Sequence, residues 1–89
     1  MSGGLDAYSK KLVRRAEGIW QNMGLDLMRQ ESSTTNGGNT LLQFYFHRIS
    51  SAQASILVAS MSEAFRKANT YWKEDSNGIV INTEIPPLH

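Results

Sequence analysis

Apolar residues recur at Leu5, Tyr8, Leu12, Ala16, Ile19 and Met23, in steps of three and four, with Val13 and Trp20 beside the stripe. That spacing gathers them on one face of an amphipathic helix. Asp6 suits the positive end of the helix dipole, and Gly24 offers the left-handed backbone that ends a helix just past its last periodic residue. The pattern therefore predicts a helix from about Leu5 to Met23, with Met1–Gly4 left without structure.

Beyond Gly24 the period changes to two. Leu25 and Leu27 alternate with Asp26 and Met28, Ser32–Asn39 is small and polar, and Thr40-Leu41-Leu42-Gln43-Phe44-Tyr45-Phe46 has the aromatic content of a pleated strand. Asn36-Gly37 supplies the positive φ angles of a two-residue hairpin turn. With that turn Leu27 faces Phe46 and Arg29 faces Phe44. Leu25, Leu27, Leu42, Phe44 and Phe46 then share one face, while Asp26, Met28, Gln30, Gln43, Tyr45 and His47 share the other. A Gly37-Gly38 turn would slip this register.

Ser50-Ser51-Ala52-Gln53 has the form of a capping box, in which a hydroxyl reaches forward and a glutamine reaches back, so the strand should end near Ile49. The helix it opens carries Ala54, Leu57, Val58, Met61, Phe65, Ala68 and Trp72 on one broad face and is expected to end at Lys73–Gly78. Ile79–Ile85 is β-branched and alternating, and Pro86-Pro87 stops it because proline cannot continue a ladder. The predicted fold is α+β in the order α-β-β-α-β: a three-stranded, mostly antiparallel sheet with two helices packed on one face. The rival is an all-α helical hairpin that oligomerises. It must place Gly24 inside a helix, at about 1 kcal/mol relative to alanine, and it leaves the capping box in mid-helix.

Composition narrows the function more than it defines it. With 89 residues, 40% hydrophobic and 19% charged, the chain reads as one folded domain, with Pro86–His89 as a tail. It has no cysteine, which excludes a disulfide framework and any thiolate-ligated metal. The longest aliphatic run, Ile56-Leu57-Val58-Ala59, is too short for a bilayer, and no leader pattern opens the chain, so an intracellular, cytoplasmic protein is expected. A net charge of +1 argues against a dedicated nucleic-acid binder and fits a protein that shields apolar surface in an assembly.

Three constellations could carry chemistry. Lys10, Lys11, Arg14 and Arg15 cluster on the first helix and could meet phosphates or an acidic partner, although Glu17 dilutes them. Asp26 and His47 could form a carboxylate–imidazole dyad, but the sequence offers neither a nucleophile nor an oxyanion site beside it. Met28, Leu41, Gln43, Tyr45 and His47, with Val80, meet on the sheet face that the helices leave open, where a partner protein or second copy could seat. His47 and His89 are the only histidines, and the Ser32–Asn39 loop lacks the Gly-Lys-Ser/Thr ending of a phosphate loop, so no metal, cofactor or small-molecule substrate is expected. The expected function is a non-catalytic protein-binding module: a regulator, adaptor, inhibitor or minor subunit, most simply a homodimer. The alternative is nucleic-acid binding through the basic face of the first helix.

Overall fold

The computed structural model describes residues 7–87. The expectations for Met1–Asp6, Leu88 and His89 lie outside them. Helix α1 (Ala7–Asn22) leads into strands β1 (Leu27–Thr34) and β2 (Thr40–Phe46), followed by helix α2 (Ser51–Ala64) and strands β3 (Asn69–Asp75) and β4 (Gly78–Ile85). All neighbouring strands are antiparallel, in the order β1-β2-β4-β3. The α+β class is as expected, but among the described residues the sheet has four strands rather than three.

The first helix forms for the reason its spacing gives. Ser9, Leu12, Ala16 and Trp20 are its buried residues, three and four apart. Trp20 closes over β2, its ring 5.2 Å from Phe44 and 5.3 Å from Phe46, tilted in the first pair and edge-on in the second. The chain then turns at Gly24, whose φ of 76° is open to glycine at little cost, and the Leu25 N–H donates back to the Trp20 carbonyl at 3.0 Å.

The β1–β2 hairpin differs from expectation at its tip. The Thr35 N–H donates to the Asn39 carbonyl at 2.8 Å and the Gly38 N–H to the Thr35 carbonyl at 3.0 Å. Gly38 has φ 85°, whereas no described non-glycine residue has a positive φ. Asn36, Gly37 and Gly38 thus form a three-residue loop, a tight turn followed by a left-handed glycine, not a two-residue Asn-Gly turn. The extra loop residue moves the ladder by one, so Arg29 faces Tyr45 and Gln30 faces Phe44. A bulge at Met28 takes up the slip and restores Leu27 opposite Phe46. The expected Leu27–Phe46 pair stands; the Arg29–Phe44 pair does not. Ser32–Thr34, read as loop, continue the strand.

The capping box at α2 is present as expected. The Gln53 N–H donates to Ser50 Oγ at 3.1 Å, and the Ser50 N–H donates to Gln53 Oε1 at 2.9 Å. The helix it opens ends at Ala64, eight residues short of Trp72. Asn69–Asp75 is strand because β4 offers it a partner: Trp72 pairs with Ile81 and Thr70 with Thr83, their hydroxyls 3.3 Å apart. Asp75-Ser76-Asn77-Gly78, read as a helix end, is the β3–β4 turn. Gly78 takes φ 110° there, and the Asn77 N–H donates to Asp75 Oδ1 at 2.8 Å. The core lies between the helices and one sheet face, where Leu42, Phe44, Phe46, Ile81 and Ile85 meet Leu12, Ala16 and Trp20 of α1 and Ala54, Leu57 and Met61 of α2.

Candidate functional site: the open face of the sheet

Strand alternation sends Leu41, Gln43 and Tyr45 to the face opposite the helices, since Leu42, Phe44 and Phe46 are buried against them. The ladders add partners from the other strands. One row across the sheet reads Lys73, Val80, Tyr45, Arg29, and the next reads Tyr71, Asn82, Gln43, Glu31. A third brings Glu84 beside Leu41.

This face is organised rather than merely solvated. The Arg29 guanidinium sits 4.2 Å from the Tyr45 ring centre and its Nε lies 3.0 Å from Glu31 Oε2, both side chains about half exposed. Gln43 Nε2 donates to Asn82 Oδ1 at 3.1 Å. The Tyr71 hydroxyl donates to Glu84 Oε2 at 2.7 Å, and Asn39 Nδ2 reaches Glu84 Oε1 at 3.5 Å. The Tyr71 hydroxyl is held above the ordinary tyrosine range, chiefly because it gives its proton to the Glu84 carboxylate. Partial burial and the nearby negative charge act in the same direction.

At the centre of the face two residues are buried although no helix lies over them: Val80 is 3% exposed and Asn82 only 1%. Asn82 Oδ1 has its partner in Gln43, whereas the buried Nδ2 has none among the described residues. A buried amide donor left unpaired carries most of its desolvation cost, so this atom stands out against the satisfied groups around it.

The sequence-expected residues divide over two connected places. Leu41, Gln43 and Tyr45 lie on the face itself. Met28 and His47 join Tyr45 in lining a groove of about 500 Å³ where the sheet meets the start of α2, with Arg48, Ile49 and Ile79 as further walls. The bulge turns Met28 outward, leaving it 52% exposed. Gln30, expected on the open face, pairs with buried Phe44, and Arg29, expected opposite Phe44, faces Tyr45. Asp26 and His47 meet only through the backbone, the His47 N–H donating to the Asp26 carbonyl at 3.0 Å.

Lys10, Lys11, Arg14 and Arg15 are all exposed. Lys10 and Arg14 sit on the side of α1 turned from Leu12, Ala16 and Trp20, whereas Lys11 and Arg15 flank Leu12 and line a hollow with Tyr8 and Phe65. Among the described residues no group of three or more His, Cys, Asp or Glu side chains could hold a metal ion, and no helix is long and apolar enough to cross a membrane.

Sequence reasoning missed Arg29, Tyr71 and Asn82. Arg29 was hidden by the one-residue register slip. Tyr71 was hidden by an apolar spacing that fits a helix through Trp72 as well as a strand, while Asn77-Gly78 was the signal that could have exposed it. No protein-family model matches this chain, and neither a curated protein nor a solved structure shows significant similarity to it.

Proposed function

We propose that this protein is a non-catalytic protein-binding module that seats a partner protein on the open face of its sheet, centred on Tyr45, Leu41 and Gln43, with Met28 and His47 at the rim. The observation that carries this reading is Asn82: an amide donor without a partner, buried at the middle of a face that the helices do not cover. A partner carbonyl or carboxylate that reached Nδ2 while Gln43 kept its bond to Oδ1 would satisfy it and recover the cost of its burial. The surroundings suit a protein interface: an aromatic ring stacked under arginine at Tyr45 and an apolar side chain at Leu41, one on either side of the Gln43–Asn82 pair. A regulator, adaptor, inhibitor or minor subunit of a larger assembly would use such a surface.

Photo-crosslinking in cells tests this, with the reactive side chain placed at position 45 in one variant and at position 14 in another. The expected result is a protein adduct of discrete mass from position 45, lost when Leu41→Glu is added. Absence of an adduct at 45, or a nuclease-sensitive adduct from position 14 alone, would overturn it. The second outcome would favour nucleic-acid binding through Lys10, Lys11, Arg14 and Arg15, a reading supported by the exposure of all four. Affinity that falls steeply with salt would accompany it.

A further inference from the structure

Among the described residues the sheet has two free edges, β1 and β3. Strand β3 ends in Lys73-Glu74-Asp75, three consecutive charged residues of the kind that keep an edge from pairing. Strand β1 ends instead in Ser32-Ser33-Thr34, exposed and uncharged, with no proline along its length. Its two charges, Arg29 and Glu31, stand two residues apart, so both project to the open face, one of each sign.

We infer that a second copy of this chain pairs antiparallel with β1 about a two-fold axis through Gln30, joining two four-stranded sheets into one continuous sheet. The argument is one of register. A two-fold axis perpendicular to the sheet keeps both open faces on the same side, and residues directly opposite each other must then share a face, so the axis has to pass through a residue. Through Arg29 it would set arginine against arginine; through Glu31, glutamate against glutamate. Through Gln30 it sets Arg29 of each copy opposite Glu31 of the other, twice, with the two Gln30 amides facing each other on the opposite side. Opposite charges across an antiparallel pair stabilise it and like charges destabilise it, so the alternation of sign selects this register over its neighbours. The Met28 bulge interrupts the regular strand two residues from the axis, which keeps the ladder short and the dimer dependent on concentration. Arg29 already lies over Tyr45 and holds its own Glu31 through Nε, which leaves the terminal guanidinium N–H groups for Glu31 of the second copy. The inference rests on the edge and not on the partner proposed for the face.

Sedimentation equilibrium over a range of protein concentrations tests it. Wild type should dimerise. Arg29→Glu alone and Glu31→Arg alone should each weaken the dimer by about tenfold or more, corresponding to about 1.4 kcal/mol. The double exchange Arg29→Glu with Glu31→Arg restores opposite charges in the same register and should return most of that loss. Circular dichroism on each variant separates dissociation from unfolding, and the double variant carries the decision if a single variant fails to fold. A monomer at every concentration would overturn the inference, as would a dimer indifferent to both single reversals or one that the double exchange fails to restore. So would a dimer abolished by Tyr45→Glu but untouched at positions 29 and 31, which would put the second copy on the open face.

Discussion

Asn82 offers a sharp test, because replacing a polar residue there should stabilise the isolated protein. Its side chain makes one hydrogen bond, to Gln43, and leaves Nδ2 buried without a partner. Asn82→Val removes both features. Losing the hydrogen bond costs about 1 kcal/mol, and the half-buried Gln43 amide can turn to water, so its own desolvation cost stays small. Removing the orphaned donor recovers about 1–3 kcal/mol, and valine suits a central strand better than asparagine by up to about 1 kcal/mol. The balance favours the variant by about 1–2 kcal/mol. Urea unfolding followed by far-ultraviolet circular dichroism would register this as a midpoint raised by roughly 0.5–1 M at an unchanged slope. A thermal midpoint about 4–8 °C higher for each kcal/mol would agree. The same variant should lose the adduct from position 45, since the donor offered to a partner is gone. A variant destabilised by about 1 kcal/mol or more would refute the reasoning, because Asn82 would then be fully satisfied within the chain.

The hairpin tip and the Tyr71 hydroxyl give two more tests. Gly38→Ala should cost about 1–2 kcal/mol, because Gly38 has φ 85° and alanine is strained there. Gly37→Ala should be neutral or stabilising by up to about 1 kcal/mol, since φ there is not positive and the added methyl carbon meets only Thr35 Oγ1 at 3.9 Å. Equal costs in urea unfolding would contradict the three-residue loop. Tyr71 binds its proton more tightly folded than unfolded, so its contribution to stability is complete below about pH 10, the ordinary tyrosine value, and is lost as pH rises through the higher folded value. Wild type should therefore lose more stability than Tyr71→Phe on going from neutral to strongly alkaline pH. Parallel stability–pH curves would show that the Glu84 hydrogen bond does not perturb the hydroxyl.

Much of the architecture was legible where the signal is local. The α1 stripe, the Gly24 turn, the Ser50–Gln53 capping box and the Pro86-Pro87 stop each depend on residues a few positions apart, and each holds apart from the part of the helix start outside the described residues. The open face with Leu41, Gln43 and Tyr45 followed from alternation along one strand, which needs no knowledge of the rest of the chain. What failed was non-local. Phe65, Ala68 and Trp72 fall on a helical spacing, and nothing within that segment says that β4 will offer Trp72 a ladder partner in Ile81.

The same division runs through the candidate site. Sequence alone determined that this is an α+β chain with a hairpin beyond its first helix and an amphipathic second strand, because periodicity, caps and turns act over a few residues. Tertiary structure decided which residues share the open face. One extra residue at Gly38, taken up by the bulge at Met28, moved Arg29 to the side of Tyr45. Pairing of β3 with β4 set Tyr71 beside Asn82. A single-residue shift in a strand reverses the face of every side chain after it, and only long-range hydrogen bonding selects the shift.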